Sequence, residues 1–317
     1  MTRSGAPLPA AEPLRPGVHG IAERCAPSAE RRADQLPGSA SPVRRWLLVE
    51  QPGPWGRDAL QESNVDSAVA AALAARASAA GVRVVLVRRP GRVPTAAGRR
   101  WAYVDSRPGR EGIWWRSYAE HRELLHVRLD EPPAGAGPAG AAYLVCAHGN
   151  HDACCAIRGR RVAAALAALR PEDTWECSHV GGDRFAANVV VLPHGLYYGH
   201  VPADAAALLV RAHEQGRVVP ELLRGRSSLP APVQAAQHYA RLELGEDRLD
   251  ALAPVHLERL TGQRWRVTLT AATGAVTVTV AAGQMRAPVR LTCSSHQLET
   301  VRVFGLVAIE APPMGAQ

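Results

Sequence analysis

The feature that most constrains this fold is the segment 141–215, where apolar runs alternate with glycine-rich turns and one alanine-rich stretch. Apolar runs of four to eight residues bounded by turn residues favour buried strands, and the longer alanine- and leucine-rich run favours a helix. The predicted order is strand, helix, strand, strand, strand, helix, for the ranges 141–145, 156–169, 174–180, 188–193, 196–201 and 203–215. This order indicates an α/β fold class.

The same segment concentrates side chains that bind metals. It contains four of the six cysteines, and three of its histidines and one aspartate lie between or beside them: Cys146, Cys154, Cys155, Cys177, His148, His151, His179 and Asp183. Thiolates and imidazoles are the donors typical of iron and zinc sites. A thiol that begins a helix is also activated, because free backbone N–H groups and the helix dipole stabilise its thiolate.

The spacing of these residues along the chain narrows the set of candidate metal ligands. Cys146 follows the first predicted strand, Cys154 and Cys155 precede the helix, and alternation along the next strand places Cys177 and His179 on one face. Simpler structural roles compete with ligation: Cys154 and Cys177 are also typical buried apolar residues. We expect His148 and His151 to hydrogen-bond nearby backbone, and Asp183 to cap the turn after two glycines or to pair with Arg184.

Several short motifs of the chain resemble the sucrase/ferredoxin-like family. They are RWLLVEQPGPWG at 45–56, CAHG at 146–149, CCA at 154–156, SHVGGDRFAAN at 178–188 and LPHGLYYG at 192–199. The resemblance implies a thioredoxin-like ferredoxin domain that carries a 2Fe-2S cluster and transfers electrons. It also implies that two cysteines with eight residues between them, here Cys146 and Cys155, bind the cluster together with His179.

The fourth ligand departs from the family pattern. The family's second histidine falls on Asp183, and carboxylate is a harder and rarer ligand for iron–sulfur clusters than imidazole. Three alternatives stay open for this ligand: Asp183, Cys177 and Cys154. Two other functions compete with the cluster, namely a metal-free thioredoxin-like thiol protein and a zinc-stabilised binding module, although neither a Cys-x-x-Cys redox motif nor a short zinc knuckle is present.

The rest of the chain suggests four further regions. Residues 1–41 lack periodicity and predict a disordered arm that includes Cys25. Residues 42–131 predict a second α/β domain, interpreted as a degenerate thioredoxin-like unit, and the Gly- and Pro-rich stretch 132–140 predicts a linker to a ferredoxin domain at 141–228. Residues 229–317 predict a helix and an antiparallel β-meander, in which Cys293 is expected only to pack.

Composition limits the function classes. The net charge of +8 permits nucleic-acid binding, but no Lys/Arg-rich block with interleaved aromatic residues accompanies it, so no nucleic-acid partner is expected and the basic surface suits an acidic redox protein. The sequence has no apolar span long enough to predict a membrane segment. The clustering of the cysteines favours a reducing, cytoplasmic location. The sequence shows no pair of carboxylates that would suggest glycosidase chemistry. With the function that the resemblance implies, we expect an electron carrier rather than an enzyme.

Overall fold

The chain forms a mixed α/β structure with a curled nine-stranded sheet and a separate four-stranded antiparallel sheet. The computed structural model describes residues 23–91, 98–135, 137–272, 274–285, 288–295 and 297–311. Within these ranges, no helix is both long enough and apolar enough to cross a membrane.

The first half of the nine-stranded sheet is a strand–helix–strand unit followed by a hairpin. Its elements are α1 (Cys25–Arg31), β1 (Arg45–Glu50), α2 (Ser67–Ala80), β2 (Arg83–Arg88), β3 (Arg99–Asp105) and β4 (Gly112–Tyr118). β1 pairs in parallel with β2 and antiparallel with β3, so the spatial order is β4-β3-β1-β2. Asp66 caps α2 through the backbone N–H of Val69 at 3.0 Å, and Gly81 ends the helix in the left-handed conformation.

The second half repeats this arrangement. Its elements are β5 (Ala142–Cys146), α3 (Ala153–Leu169), β6 (Thr174–Cys177), β7 (Val189–Leu192), β8 (Leu196–Tyr198), α4 (Ala206–Glu214) and β9 (Leu223–Arg226). β5 is parallel to β6 and antiparallel to β7, and the spatial order is β6-β5-β7-β8-β9. The strand, helix and hairpin predicted for 141–215 are thus present, although β6 ends earlier than expected.

The two halves share one sheet, because β2 and β6 pair antiparallel through Val87 with Cys177 and Arg88 with Glu176. The stretch 132–140, predicted as a linker, therefore connects two halves of a continuous sheet. The division into separate domains at this stretch stays a prediction.

Both faces of the sheet are buried, as its near-continuous apolar strands predict. Along β1, Trp46 and Leu48 belong to one apolar cluster, while Leu47 and Val49 belong to the cluster on the opposite face. The first of these clusters also contains five of the six cysteines. The cysteines therefore lie where the sheet is covered by protein rather than by water.

The C-terminal extension packs a helix on the second sheet. Its elements are α5 (Ala231–Leu244), β10 (Pro254–Arg259), β11 (Arg264–Ala271), β12 (Gly274–Gln284) and β13 (Arg302–Glu310), in sequential antiparallel order. The predicted helix and antiparallel meander are observed. The run 289–293 was expected to be a strand, but only a single bridge between Val289 and Glu299 forms, so Cys293 lies in a turn.

Part of the predicted N-terminal arm is ordered. Residues 1–22 lie outside the described residues, but α1 forms from Cys25, and Cys25, Ala26 and Ala29 are fully buried. A short helix was an open expectation for residues 22–32 of this arm, and α1 forms there because small apolar residues on one of its faces pack against the body of the protein. A local prediction elsewhere failed: residues 124–129, expected to be a strand, overlap a short 3-10 helix at His121–His126.

Candidate metal centre

The first two candidate ligands are held by the junction of β5 and α3. Cys146 ends β5, and Cys155 lies in the first turn of α3, whose N-cap Asp152 accepts a hydrogen bond from the backbone N–H of Cys154 at 2.7 Å. Gly159 lets α3 pass close to this strand end, since a Cβ atom at this position would lie only 2.0 Å from the carbonyl oxygen of Cys146. The close packing brings the two cysteines together.

The other two candidates come from the loop after β6. His179 and Asp183 flank Gly181 and Gly182. These glycines have φ angles of 101° and 82°, which residues other than glycine adopt only at an energetic cost. Gly182 also packs against the guanidinium of Arg224, 2.5 Å from where a Cβ atom would stand. The paired glycines thus turn the loop back so that Asp183 faces the two cysteines.

The four side chains converge; we call Cys146, Cys155, His179 and Asp183 the central site. Ligand atoms of Cys146, His179 and Asp183 all lie within 4.8 Å of one another. The carboxylate of Asp183 accepts hydrogen bonds from the Cys155 thiol at 3.2 Å and from Nδ1 of His179 at 2.9 Å. The structure therefore brings together four of the six candidate ligands that the sequence nominated.

A further histidine reaches the same carboxylate. Nε2 of His151 lies 3.3 Å from Asp183, and the His151 ring lies 3.8 Å from that of His179 between centroids. From the sequence we expected His151 to hydrogen-bond nearby backbone. No spacing rule predicts its pairing with Asp183, which lies 32 positions later. The hydrogen bond to Asp183 raises the pKa of His151.

The charges of the central site suit a metal. Burial alone would raise the pKa of Asp183, but hydrogen bonds from His151 and His179 lower it well below its usual value. The hydrogen bond with Cys146 and burial raise the pKa of Cys155 well above that of a free thiol. The buried Cys155 thiol, beside a buried carboxylate, therefore ionises only when bound positive charge replaces its proton.

The central site is buried on one side and reaches solvent on the other. Cys146, Cys155 and Asp183 are each no more than 2 % exposed, whereas the side chains of His151 and His179 are 26 % and 29 % exposed. The two imidazoles thus lie at the solvent-facing edge of this site. Such an arrangement keeps water from the thiols while one donor stays near the surface.

His148 shapes the site without being free to bind a metal. Its Nε2 bonds the carbonyl oxygen of Gly56 at 2.6 Å, and its Nδ1 accepts the backbone N–H of His179 at 3.3 Å, so both ring nitrogens are engaged. Trp55 packs edge-on against the same ring. The turn 52–56 of the first half therefore supports the ligand loop of the second half, as well as packing a tryptophan.

Arg224 places a buried positive charge behind the glycine turn. Its guanidinium is 2 % exposed and donates to the carbonyl oxygens of Gly181 and Ser39 and to the side chain of Asn188. Burial lowers the pKa of Arg224 to about 10, which still leaves it charged at neutral pH. Arg184 was expected as a partner of Asp183, but it lies 3.2 Å from Asp34 instead.

The comparisons with known proteins cover this region. A family model described as Sucrase/ferredoxin-like matches residues 36–225, about three-fifths of the chain. The chain belongs to the sucrase/ferredoxin-like family. No curated protein and no solved structure matches it significantly. The sucrase/ferredoxin-like segment contains the whole central site and the nine-stranded sheet up to the middle of β9.

Two nominated cysteines of the sucrase/ferredoxin-like segment lie outside the central site. Cys177 is fully buried beside Cys146, its partner across β5 and β6, and packs in the apolar cluster without joining the group of close ligand atoms. Cys154 faces away, and its Sγ lies 3.4 Å from that of Cys293. Among the three alternatives for the fourth ligand, Asp183 is therefore the one that the fold places beside Cys155 and His179.

A second group of ligand atoms extends beyond the sucrase/ferredoxin-like match. Cys25, Asp152, Cys154 and Cys293, here called the three-cysteine cluster, have ligand atoms within 4.8 Å of one another. Cys25 and Cys293 were expected to be a free thiol and a packing residue, respectively. No local signal could have joined them, because 268 positions separate them in the chain.

Proposed function

We propose that this protein is an electron-transfer protein whose central site holds a 2Fe-2S cluster. The observation that carries the proposal is the convergence of two buried thiols, one imidazole and one carboxylate at a solvent-facing edge. Cys146 and Cys155 would hold one iron, and His179 and Asp183 the other. Such a cluster supplies reversible transfer of one electron when it is bound.

The topology supports a ferredoxin-like role for the second half. Strands β5 and β6 form a parallel pair that helix α3 connects. The antiparallel hairpin of β7 and β8 follows, with β7 beside β5. This arrangement supports the thioredoxin-like domain that family resemblance implies. The first half has the same strand order, which supports a second, degenerate copy without the cysteines.

The chain's own residues prepare the site in three ways. Burial of Cys146 and Cys155 excludes water and oxidants from the thiols. His151 hydrogen-bonds Asp183 and fixes the orientation of its carboxylate, as partners of metal ligands commonly do. His179 keeps one donor at the surface, where a partner protein can approach closely.

Charge around the site would set the ease of reduction. An imidazole in place of a thiolate removes negative charge and favours the reduced state, as in Rieske centres, whereas the carboxylate of Asp183 opposes this effect. Buried Arg224 adds positive charge behind the loop and favours reduction again. We therefore infer a potential between those of four-thiolate and two-histidine centres.

The partner would be a redox protein of the cytoplasm. The net charge of +8 favours an acidic reductase or acceptor, because opposite charges speed encounter. Salt should then slow electron exchange with such a partner. An exchange rate that does not change with ionic strength would contradict an acidic partner.

The decisive experiment is the visible spectrum of anaerobically purified protein, with iron and acid-labile sulfide assayed on the same sample. We expect brown protein with about two irons and two sulfides per chain. Protein that stays colourless after reconstitution with iron and sulfide would refute the cluster. Stoichiometric zinc at the central site, or rapid alkylation of Cys146 and Cys155, would then favour the zinc or free-thiol function.

Two substitutions with opposite effects test the ligands of the second iron. His179→Cys should lower the reduction potential, because an anionic thiolate replaces a neutral ligand, and Asp183→His should raise it, because a neutral ligand replaces an anion. His256→Cys, on exposed strand β10, is the matched control and should leave the potential unchanged. An unchanged potential in cluster-containing His179→Cys or Asp183→His would exclude that residue as a ligand.

A further inference from the structure

The three-cysteine cluster gathers thiols from three distant segments. Cys25 comes from α1, Cys154 from the first turn of α3, and Cys293 from the turn before β13. Asp152, the N-cap of α3, completes the group and is 2 % exposed, as is Cys154, while Cys25 is 1 % exposed. None of these four side chains takes part in the central site.

The distances within the cluster match a tetrahedral metal site. Sγ of Cys293 lies 3.4 Å from Sγ of both Cys154 and Cys25, and Sγ of Cys25 lies 3.5 and 3.7 Å from the two oxygens of Asp152. Zinc–sulfur bonds of about 2.3 Å and zinc–oxygen bonds of about 2.1 Å in a tetrahedron place sulfur atoms about 3.8 Å apart, and sulfur and oxygen about 3.6 Å apart. These four separations therefore differ from the tetrahedral values by at most a few tenths of an ångström, and all ligand atoms of the cluster lie within 4.8 Å of one another.

We propose that Cys25, Cys154, Cys293 and Asp152 bind one zinc ion. Thiolates and carboxylates are both donors that zinc binds, and three thiolates with one carboxylate fill the four positions of a closed tetrahedral site. No position is left for water or substrate, so the ion has a structural role. It joins α1 and the C-terminal extension to the start of α3, which also carries a ligand of the central site.

A disulfide explains the cluster less well. The Sγ atom of Cys293 is equally distant from the other two thiols, so that a bond to one would leave the other unpaired. It would also leave the buried carboxylate of Asp152 facing a thiol. In addition, the backbone N–H of Cys293 donates to Asp152 at 2.5 Å, which orients the turn toward the carboxylate rather than toward one sulfur.

The protonation of the thiols agrees with the geometry. The hydrogen bond from Cys25 lowers the pKa of Cys154 to about 6, whereas the same contact and burial raise the pKa of Cys25. A bound cation would replace the protons that these buried thiols carry. Adjacent residues Cys154 and Cys155 would then bind two different metals, one on each side of the helix N-terminus.

Zinc and iron content of matched variants tests the site. In the full chain, purified without chelator and then incubated with Zn²⁺ and desalted, we expect about one zinc per chain for the wild type, as for one closed site. Cys25→Ser and Cys293→Ser should each lose at least tenfold in zinc affinity while iron content stays unchanged. Cys146→Ser should do the reverse, losing iron and keeping zinc, and Ser295→Ala, in the same turn as Cys293, should keep both metals.

Zinc X-ray absorption of the wild-type protein provides a test that does not depend on a variant folding. Three sulfurs at about 2.3 Å and one oxygen at about 2.0–2.2 Å are expected. A protein without zinc, zinc bound by histidine, or a mass that shows a disulfide among Cys25, Cys154 and Cys293 in protein handled anaerobically would each overturn the proposal. Failure of the cluster at the central site would appear separately, as absent iron with zinc retained.

Discussion

Replacing Gly159 with alanine tests how helix packing positions the central site. A Cβ atom on residue 159 would stand 2.0 Å from the carbonyl oxygen of Cys146 and 3.1 Å from its carbonyl carbon. Both are backbone atoms at the end of β5, so no flexible side chain can move aside. The 2.0 Å separation must grow to the 3.4 Å at which ordinary contact begins, which requires α3 and β5 to move apart.

This movement has an energetic and a functional consequence. Overpacking costs up to about 3 kcal/mol, and the better helix propensity of alanine returns about 1 kcal/mol, so we expect a net destabilisation of roughly 2 kcal/mol. In a chain of 317 residues that lowers the melting temperature by about 3 °C. Because Cys155 moves with α3 while Cys146 stays on β5, the spacing of the two thiols also changes, and iron content should fall.

Thermal unfolding by circular dichroism, with iron measured per chain, checks both consequences. Gly305→Ala on β13 is the control, since no atom lies within 4 Å of its added methyl group and its backbone is not left-handed. A Gly159→Ala protein as stable as the wild type would refute the packing argument. A destabilised variant with full iron content would refute the link between α3 and the ligand spacing.

Three further predictions concern stability. Burial and neighbouring cationic groups lower the pKa of His194 to about 4. As pH falls from about 6.5 to 4, His194 therefore takes up a proton in the unfolded chain but not in the folded chain. This difference lowers the free energy of unfolding by at most about 3 kcal/mol below that window. His194→Gln should reduce this loss, as measured by urea unfolding. Asp66→Ala should destabilise by about 1 kcal/mol through loss of the α2 cap, while exposed Ser67→Ala should not. Arg224→Met should cost about 3 kcal/mol or more, because it leaves buried carbonyls such as that of Gly181 unpaired, and Arg224→Lys should not restore the wild-type melting temperature.

Local patterns in the sequence were sufficient for the second half of the sheet and for the identity of most central-site residues. Apolar runs ended by glycine or by the CAHG and SHVGGD motifs specify strands whose ends carry the ligands. That Cys146, Cys155 and His179 meet was implied by the resemblance of these motifs to the sucrase/ferredoxin-like family, and not by the spacing of the residues alone. The fourth ligand could not be predicted, because Asp183, Cys177 and Cys154 are all near in sequence and only packing separates them.

The sequence by itself thus determined most of the order of strands and helices, the family, and the types of the candidate ligands, because these depend on periodicity and on residues within a few tens of positions. Only the tertiary structure decided which thiols meet. Pairing of β2 with β6 made one sheet from two predicted domains, His151 reached Asp183, and Cys293 reached Cys25 across most of the chain. Contacts of this kind arise from the packing of distant apolar faces, which no local spacing records.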